Sequence, residues 1–259
     1  MDLEKLKKRP DCFYYTDNGV LLCGDCLKIM PELEPVDLVL TDPPYGTTQN
    51  KWDSVIPLSS MWDKLKNTVK CDGAIVLTSQ SIFTANIQVT SPFFRYSLIW
   101  EKTKAGGFLN SRRMPLQAHE DITVHYRRLP TYNPQMEPGE PYTKKAVSDG
   151  DGGNYGTFNR AGEVAINAGE RFPRSVLRFS NDNHNSLHPT QKPVALMEYL
   201  IKTYTNEGET VLDFTVGSGT TIVACEKLNR RWIGIEIEEK YCEIAKQRIE
   251  KERSQLKLW

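Results

Sequence analysis

Long hydrophobic runs are absent from this 259-residue sequence, and its amino terminus is not a charged segment followed by an apolar one. Membrane spans and secretory signal peptides have those features, so the sequence predicts neither. It also lacks an excess of either charge, with 33 Lys and Arg against 33 Asp and Glu. A chain without net charge is not drawn to nucleic acid as a whole, and any nucleic-acid contact must therefore be a local surface.

The six cysteines lack the spacing of a disulfide framework, which favours a reduced, cytoplasmic protein. Cys23 and Cys26 form one Cys-x-x-Cys pair, but a zinc ribbon requires a second pair at a matching distance, which this sequence does not have. We therefore predict no metal site. His119 and His125 bracket an alternating segment that is typical of a strand, and we interpret both as structural residues.

A carboxylate and an aromatic side chain follow a predicted strand at residues 41–46, Thr-Asp-Pro-Pro-Tyr-Gly. The preceding run, Val36–Leu40, is typical of a buried parallel strand, which the two prolines cannot continue. Asp42 and Tyr45 are therefore expected at the carboxyl end of a strand, where open α/β sheets bind ligands. Such a pair can hold a flat ring that carries an NH2 group, although Asp-Pro and Pro-Pro are also ordinary strand breakers.

A glycine-rich turn follows about 170 residues downstream. Residues Thr210–Phe214 predict a short buried strand, and Gly217 and Gly219 precede a predicted helix. Glycines let a backbone approach a ligand closely, and the start of a helix offers free N–H groups. A further strand ends at Glu236, so the pattern is that of an adenosine-binding βαβ unit. Ile222 stands where the dinucleotide fingerprint has its third glycine, which argues against NAD.

Together the two motifs resemble those of the DNA amino-methyltransferases that use S-adenosylmethionine. The matching segments are Asp42-Pro-Pro-Tyr45 and Asp213-Phe-x-x-Gly-x-Gly-Thr-Thr221. The catalytic motif precedes the glycine-rich motif, which is the permuted order of the β class of this family. Thr215 and Val216 stand where relatives commonly carry a proline and a small residue, and this departure leaves the glycines and Asp213 unchanged.

The resemblance implies a set of site residues. Residues 24–26, Gly-Asp-Cys, are similar to the family element that contacts the adenine of the cofactor, and residues 188–193 to the element that holds its methionine end. The implied catalytic residues are Asp42, Pro43, Pro44 and Tyr45. The implied cofactor-binding residues are Asp25, Cys26, Asp42, His188, Thr190, Lys192, Asp213, Phe214, Gly217, Gly219, Thr220, Thr221 and Glu236.

The implied fold is α/β: one domain over residues 1–259 with a doubly wound, mostly parallel, seven-stranded sheet of the methyltransferase type. Residues 20–128 are the catalytic half and residues 175–259 the cofactor-binding half. Residues 129–174 are rich in proline and glycine and show no clear periodicity. A loop this long is usually functional or disordered, and its position in the family suggests target recognition; disorder before DNA binds is the alternative.

Residues 95–178 carry 13 Lys and Arg against 9 Asp and Glu, so this part of the chain is basic. Its paired basic residues are candidates for phosphate contact, and a solvated surface is the alternative for any one pair. The predicted DNA contacts are Lys102, Lys104, Arg112, Arg113, Arg127 and Arg128.

The resemblance implies site-specific methyl transfer from S-adenosylmethionine to the N6 amine of an adenine that is flipped out of double-stranded DNA. Asp42 favours adenine, since family members that modify cytosine N4 have Ser at this position. Methylation of cytosine N4 is the alternative. A silent DNA-binding module and a nucleotide-dependent oxidoreductase are alternatives from other classes, and the oxidoreductase leaves Asp42–Tyr45 unexplained.

The family also suggests a cytoplasmic enzyme of a bacterial, archaeal or phage-infected cell. A homodimer, a companion restriction nuclease and RNA as the substrate are left open by the sequence.

Overall fold

The structure, a computed structural model, describes residues 2–47, 53–145, 150–151, 157–158, 164–181 and 191–256. The chain forms two compact units, one of Met1–Asn133 with Ser175–Trp259 and one of Pro134–Arg174. The helices are α1 (Leu3–Lys7), α2 (Cys26–Ile29), α3 (Leu58–Thr68), α4 (Ser81–Thr90), α5 (Val194–Tyr204), α6 (Thr220–Lys227) and α7 (Glu239–Leu256), with short 3-10 turns at Met30–Glu32 and Phe108–Asn110. The strands are β1 (Cys12–Tyr15), β2 (Gly19–Cys23), β3 (Val36–Thr41), β4 (Val69–Ser79), β5 (Phe94–Gly106), β6 (Gln117–His125), β7 (Glu137–Pro138), β8 (Tyr142–Lys145), β9 (Gly150–Asp151), β10 (Thr157–Phe158), β11 (Val164–Asn167), β12 (Glu170–Arg171), β13 (Val176–Phe179), β14 (Thr210–Asp213) and β15 (Arg231–Glu236).

A nine-stranded sheet forms the centre of the larger unit, in the order β1-β2-β15-β14-β3-β4-β6-β5-β13. The pairs β1–β2, β4–β6 and β5–β6 are antiparallel, and the other neighbours in the sheet are parallel. The sheet is therefore mostly parallel, but it has nine strands where the sequence predicted seven. The four-residue strands β1 and β13 lie at its two edges, and they account for the difference.

Helices cover both faces of this sheet, which explains the continuous apolar run in β3. Successive residues of a strand point to opposite faces. Leu38 and Leu40 belong to the core that includes α5 and α6, whereas Val39 belongs to the core that includes α3 and α4. Helix α3 contributes Met61 and Leu65 to the second core at helical spacing.

Strand β5 is longer than the sequence indicates. The aromatic and β-branched residues of this segment predict a strand only over Phe94–Trp100, and the glycines after Lys104 predict a loop, but the strand continues to Gly106. Strand β13 pairs with β5 as far as Lys102, and β6 pairs with it on the other side. Backbone hydrogen bonds to these two strands keep the polar residues of β5 extended. The local sequence of β5 does not reveal either partner strand.

The smaller unit, Pro134–Arg174, contains three antiparallel strand pairs, β7–β12, β8–β11 and β9–β10. Their registers are nested: Glu137 faces Arg171 in the first pair, and Gly150 faces Phe158 in the last. We therefore interpret the three pairs as one interrupted β-hairpin. Most of its described residues are exposed, so no buried face imposes the alternation that would predict strands from the sequence.

None of the helices that the structure describes combines the length and the apolar composition needed to cross a membrane. All six cysteines are free thiols. Within the described ranges, no group of three or more His, Cys, Asp or Glu side chains is arranged to hold a metal ion.

His125 is buried at the end of β6 among aromatic side chains. Its Nδ1 lies 2.8 Å from the Ser91 hydroxyl, and its ring centroid lies 4.9 Å from that of Trp62 and 5.6 Å from that of Phe94. Burial lowers the pKa of His125 to about 3. The folded state therefore holds the imidazole neutral at a pH where the unfolded chain would protonate it.

This burial predicts an acid-sensitive contribution to stability. The unfolded state binds the extra proton below about pH 6.5, so this contribution is present above pH 6.5 and is lost as the pH falls toward 3. Between pH 7 and pH 4, wild type should lose about 3 kcal/mol more unfolding free energy than His125→Phe. Urea denaturation of both proteins at the two pH values measures this difference. Parallel pH dependences of the two proteins would contradict the expectation.

Candidate functional site

The carboxyl ends of β3 and β14 lie side by side in the middle of the sheet, next to a cleft of about 460 Å³. The chain leaves β3 toward β4 and leaves β14 toward β15, in opposite directions across the sheet. Such a topological switch point is where α/β sheets bind ligands. Two motifs that are far apart in the sequence therefore share one site.

Most of the predicted catalytic and cofactor-binding residues line this cleft. Gly219 is not among its lining residues, and His188 and Thr190 lie outside the residues that the structure describes. The predicted residues that line the cleft are Asp25, Cys26, Asp42, Pro43, Pro44, Tyr45, Lys192, Asp213, Phe214, Gly217, Thr220, Thr221 and Glu236.

The carboxylate of Asp42 accepts three hydrogen bonds just beyond the end of β3. Its Oδ1 accepts from the hydroxyl of Tyr45 at 2.7 Å and from the hydroxyl of Thr78. Its Oδ2 accepts from the ammonium group of Lys192 at 2.7 Å. The side chain is still 28% exposed toward the cleft, so a ligand can reach it.

Tyr45 presents its ring beside this carboxylate. Its centroid lies 5.3 Å from that of Phe83 in a stacked arrangement, and the Lys192 ammonium lies over the ring at 5.3 Å from the centroid. Burial raises the pKa of the Tyr45 hydroxyl, and the carboxylates of Asp42 and Glu120 raise it further. Tyr45 is therefore a neutral hydrogen-bond donor at physiological pH.

Glu120, on β6, forms ion pairs with both lysines of the site, and no sequence motif identifies it. Its Oε1 lies 2.6 Å from the Nζ of Lys102, and its Oε2 lies 3.3 Å from the Nζ of Lys192. Burial lowers the pKa of Lys192, but the carboxylates of Asp42 and Glu120 outweigh burial and leave it raised. The sequence assigned Lys102 to DNA and Lys192 to the cofactor, whereas the structure pairs both with carboxylates.

A hydrogen-bond network joins the glycine-rich motif to the catalytic motif. The hydroxyl of Thr41 donates to Oδ1 of Asp213 at 2.6 Å, and it is also hydrogen-bonded to the hydroxyl of Thr215. The Thr215 hydroxyl lies 3.1 Å from the backbone carbonyl of Asp42, to which it can donate. Burial raises the pKa of Asp213 to about 6, although the hydrogen bonds from Thr41 and Thr215 lower it in part. Thr215, the departure from the family pattern, thus links the two halves through contacts that a proline could not make.

Glu236 closes the glycine-rich turn at the end of β15. Its Oε2 accepts the backbone N–H of Gly217 at 2.7 Å, and its Oε1 accepts that of Glu238 at 2.9 Å. Gly217 and Gly219 both have left-handed backbones, with φ of +53° and +84°. A Cβ at Gly217 would meet nothing within 4 Å, whereas one at Gly219 would lie 2.9 Å from the Cβ of Ala245. Gly217 therefore leaves room for a ligand, and Gly219 permits close packing of α7.

The other side of the cleft is formed by the start of α2 and the segment after the catalytic motif. Asp25 caps α2, since its side chain accepts the N–H of Leu27 at 2.9 Å. Burial raises the pKa of the Cys26 thiol to about 12, so this thiol is not activated as a nucleophile. Asp53 accepts the N–H groups of Gly46 at 2.8 Å and Thr47 at 2.9 Å. Asp53 is not predicted from the sequence, because no local pattern distinguishes it.

Four of the predicted DNA contacts lie toward the catalytic edge of the sheet, by which we mean the side where the carboxyl ends of the parallel strands meet. Strand β5 is parallel to β3, because β3 is parallel to β4 and both β4 and β5 are antiparallel to β6. The carboxyl end of β5 carries Lys102 and Lys104. The segment between β5 and β6 carries Arg112 and Arg113, both exposed. Lys104, Arg112 and Arg113 together form what we call the basic rim, at and beyond the carboxyl end of β5.

Arg127 and Arg128, the other two predicted DNA contacts, lie at the opposite edge of the sheet. Strand β6 is antiparallel to β4, so the residues after β6 lie at the amino ends of the parallel strands. A guanidinium nitrogen of Arg127 donates to the carbonyl of Val69 at 2.9 Å, and the group lies over the ring of Phe93. The direction of one strand therefore removes this pair from the DNA surface that we propose below.

Comparison with known proteins assigns the chain to a family. Residues 36–247 match the model of the family described as DNA methylase, N6_N4_Mtase. The Type II methyltransferase M.HpaI of Haemophilus parainfluenzae is 29% identical over 255 residues, which cover 90% of this chain and 74% of the relative. The Type II methyltransferase M2.DpnII of Streptococcus pneumoniae is 26% identical over 271 residues, which cover 92% of each chain.

Solved structures agree with this assignment. The complex of M1.HpyAVI with S-adenosylmethionine is 25% identical, with a TM-score of 0.58 over 88% of this chain and 98% of that chain. The PvuII DNA methyltransferase, described as cytosine-N4-specific, is 19% identical, with a TM-score of 0.66 over 92% of this chain and 88% of that chain, and it shows the shared fold. The chain therefore belongs to the DNA methylase family, and it is a DNA methyltransferase that uses S-adenosylmethionine.

Proposed function

We propose that this enzyme methylates the N6 amine of an adenine that it flips out of double-stranded DNA at a specific sequence. The observation that carries the proposal is the position of Asp42, whose carboxylate accepts a hydrogen bond from Tyr45 and lines the cofactor cleft together with it. A base inside a duplex cannot reach such a cleft, so the target must leave the helix. Asp42, rather than Ser, supports adenine over cytosine through the family resemblance.

The chemistry requires a more nucleophilic amine, because the lone pair of an exocyclic amine is delocalised into the ring. Asp42 would accept one N–H of the amine and the carbonyl of Pro43 the other, which favours a tetrahedral nitrogen and exposes its lone pair. Tyr45 would stack on the base, a contact worth roughly 1–3 kcal/mol. When bound, S-adenosylmethionine supplies a methyl group on a positively charged sulfur for in-line attack. As the new bond forms, the amine becomes acidic and Asp42 can take its proton.

The shape and polarity of the cleft fit S-adenosylmethionine. Open space beside Gly217 leaves the glycine-rich turn accessible to a ligand. The Glu236 carboxylate is held against this turn by the N–H of Gly217, where it would accept hydrogen bonds from the ribose hydroxyls. Asp25 and Cys26 line the other side, where the family resemblance places adenine. The turn from Gly217 to Thr221 and Asp213 complete the set that would hold the cofactor. Lys192 belongs to this set by resemblance.

DNA recognition is assigned to two surfaces. The basic rim, with Lys104, Arg112 and Arg113, would contact phosphates, which fix the register of a duplex. The hairpin of residues 134–174, which overlaps the predicted 129–174 insert, would reach base edges, since a two-stranded β-ribbon fits the major groove. Phosphate contacts carry no sequence information, so the choice of site belongs to the hairpin in this proposal.

The motif order supports a permuted β-class enzyme. A homodimer, a companion restriction nuclease and a cytoplasmic location stay predictions from the family resemblance.

Mass spectrometry of nucleosides tests the choice of target. Genomic DNA from a methylation-free host that expresses this chain should contain N6-methyladenine, and DNA from a host that expresses Asp42→Asn should not. The modified bases should occur within one short sequence when mapped. N4-methylcytosine in place of N6-methyladenine would overturn the assignment drawn from Asp42.

Glu236→Gln should weaken binding of S-adenosylmethionine about 10- to 100-fold. Hydrogen bonds to a charged group contribute about 1.5–3 kcal/mol, and the amide keeps the size of the side chain but loses one acceptor and the charge. Titration calorimetry with the cofactor and with its demethylated product measures the change. Glu239→Gln, an exposed position at the start of α7, is the matched control and should bind like wild type. Equal affinities for the two variants would argue against ribose binding by Glu236.

A further inference from the structure

We propose that Lys192 moves between two carboxylates, leaving Asp42 for Glu120 when the target base enters, and that Glu120 is a positioning residue for methyl transfer. The inference rests on the proposed function, because it concerns how a base reaches Asp42 and Tyr45. It adds a residue that no sequence motif marks.

The ammonium group of Lys192 lies where the target base has to bind. It is 2.7 Å from Oδ2 of Asp42 and 5.3 Å from the centroid of the Tyr45 ring. Among the described residues, the ring that stacks on Tyr45 is that of Phe83, which is 3% exposed and belongs to the core that includes α4. A base that stacks on Tyr45 and donates to Asp42 must therefore displace the lysine, since Phe83 is fixed by packing.

The pairing with Lys192 also opposes the role of Asp42. An ammonium group at hydrogen-bond distance neutralises the charge of the oxygen that should accept the N–H of the amine. The Oδ1 oxygen already accepts from the hydroxyls of Tyr45 and Thr78. Release of Lys192 frees Oδ2 and restores a charged acceptor at the place where the amine arrives.

Glu120 is placed to receive the displaced ammonium group. Its Oε2 is 3.3 Å from the Nζ of Lys192, so the group needs to move by less than about 1 Å to reach normal hydrogen-bond distance. Lys102 engages the other oxygen, Oε1, at 2.6 Å. Glu120 is 8% exposed and Lys192 is 5% exposed. A buried lysine without a carboxylate is costly, so the second carboxylate makes release from Asp42 feasible.

The test compares single-turnover methyl transfer by wild type, Glu120→Gln and Glu120→Asp on a duplex that carries the mapped methylation site. Glu120→Gln removes the charge that receives Lys192, and the rate should fall at least about tenfold. Affinity for S-adenosylmethionine should stay within a few-fold of wild type. Glu120→Asp keeps the charge and should retain more activity than Glu120→Gln. The control is Glu101→Gln on β5, an exposed carboxylate 3.3 Å from Arg178, which should react like wild type.

A double mutant separates this role from a purely structural one. If Lys192 blocks Asp42 in Glu120→Gln, adding Lys192→Met should make the double mutant faster than Glu120→Gln alone when both proteins are saturated with S-adenosylmethionine, so that any loss of cofactor affinity does not affect the comparison. Fluorescence of 2-aminopurine at the target position should show weaker base flipping in Glu120→Gln and recovery in the double mutant. A structural role would instead make the two losses multiply.

The outcomes distinguish the two proposals. The exchange of Lys192 is contradicted if wild type and Glu120→Gln are equally active. It is also contradicted if the double mutant is slower than Glu120→Gln at saturating S-adenosylmethionine. Both outcomes leave the proposed function intact. If Glu120→Gln does not fold, Glu120→Asp with and without Lys192→Met gives the same comparison. A wild type that transfers no methyl group to DNA contradicts the proposed function itself.

Discussion

Asp42→Asn should lower the rate of methyl transfer by roughly 10²- to 10⁴-fold, the range typical of a residue that accepts a proton in the transition state. Asparagine has the same size, but its single carbonyl oxygen can accept from only one of Tyr45 and Lys192, which donate to different oxygens of Asp42. It cannot present a negative charge to the N–H of the amine or take up the proton. Because Asp42 acts on the amine of the base in this proposal, whereas Glu236 and the glycine turn hold the cofactor, binding of S-adenosylmethionine should change by a few-fold at most.

Single-turnover assays with labelled cofactor measure the transfer step, and calorimetry measures cofactor affinity. Asp37→Asn provides a matched control on the same strand. Asp37 is paired with Lys70 at 2.6 Å and accepts the N–H of Thr210 at 2.9 Å, near the amino end of β3. Its replacement should lower thermal stability while leaving the rate within a few-fold of wild type. Near wild-type transfer by Asp42→Asn would refute the catalytic assignment.

Shortening the hairpin of the smaller unit should abolish site-specific methylation without loss of cofactor binding. The paired residues Tyr142 and Asn167 define a symmetric cut, because they face each other in the ladder. Deleting residues 142–167 and joining the ends through Asn-Gly, which forms a tight hairpin turn, preserves the pairing of β7 with β12. An asymmetric deletion would instead leave one strand without its partner.

Mapping of methylated sites in DNA treated with the shortened enzyme measures the effect, and calorimetry reports cofactor affinity. Arg113→Gln is the comparison within the basic rim. If Arg113 contacts a phosphate, its loss should weaken binding to all sequences alike and reduce the salt slope by about one unit. Unchanged selectivity of the shortened enzyme would show that recognition lies outside residues 142–167.

Elements with a strong local signal were predicted well from the sequence. The apolar run that begins at Val36 is strand β3, the glycine-rich turn leads into α6 at Thr220, and Arg231–Glu236 is β15 as predicted. These segments combine hydrophobic periodicity with prolines or glycines at their ends, and both signals act over a few residues. The family resemblance rests on these same segments, which explains why most of its implied residues line one cleft.

Contacts between distant segments were decided by the tertiary structure alone. Glu120 has no motif around it, and it becomes part of the site because β6 places it near Lys192 and Lys102. The direction of each strand decides which basic residues lie at the catalytic edge of the sheet. Because β6 is antiparallel to β4, Arg127 lies at the opposite edge. Spacing along the chain cannot encode the direction of a neighbouring strand.

The chemistry of this protein was therefore determined by its sequence, and the electrostatic state of its site by its fold. The carboxylate at position 42 and the adenosine-binding pattern are properties of short segments, because a turn after a strand needs only local residues. The pairing of Asp42 with Lys192, and of Lys192 with Glu120, requires three segments to meet in a buried volume. Charges that are far apart in the sequence interact strongly only after packing has removed the water between them, because the lower dielectric constant strengthens their electrostatic interaction.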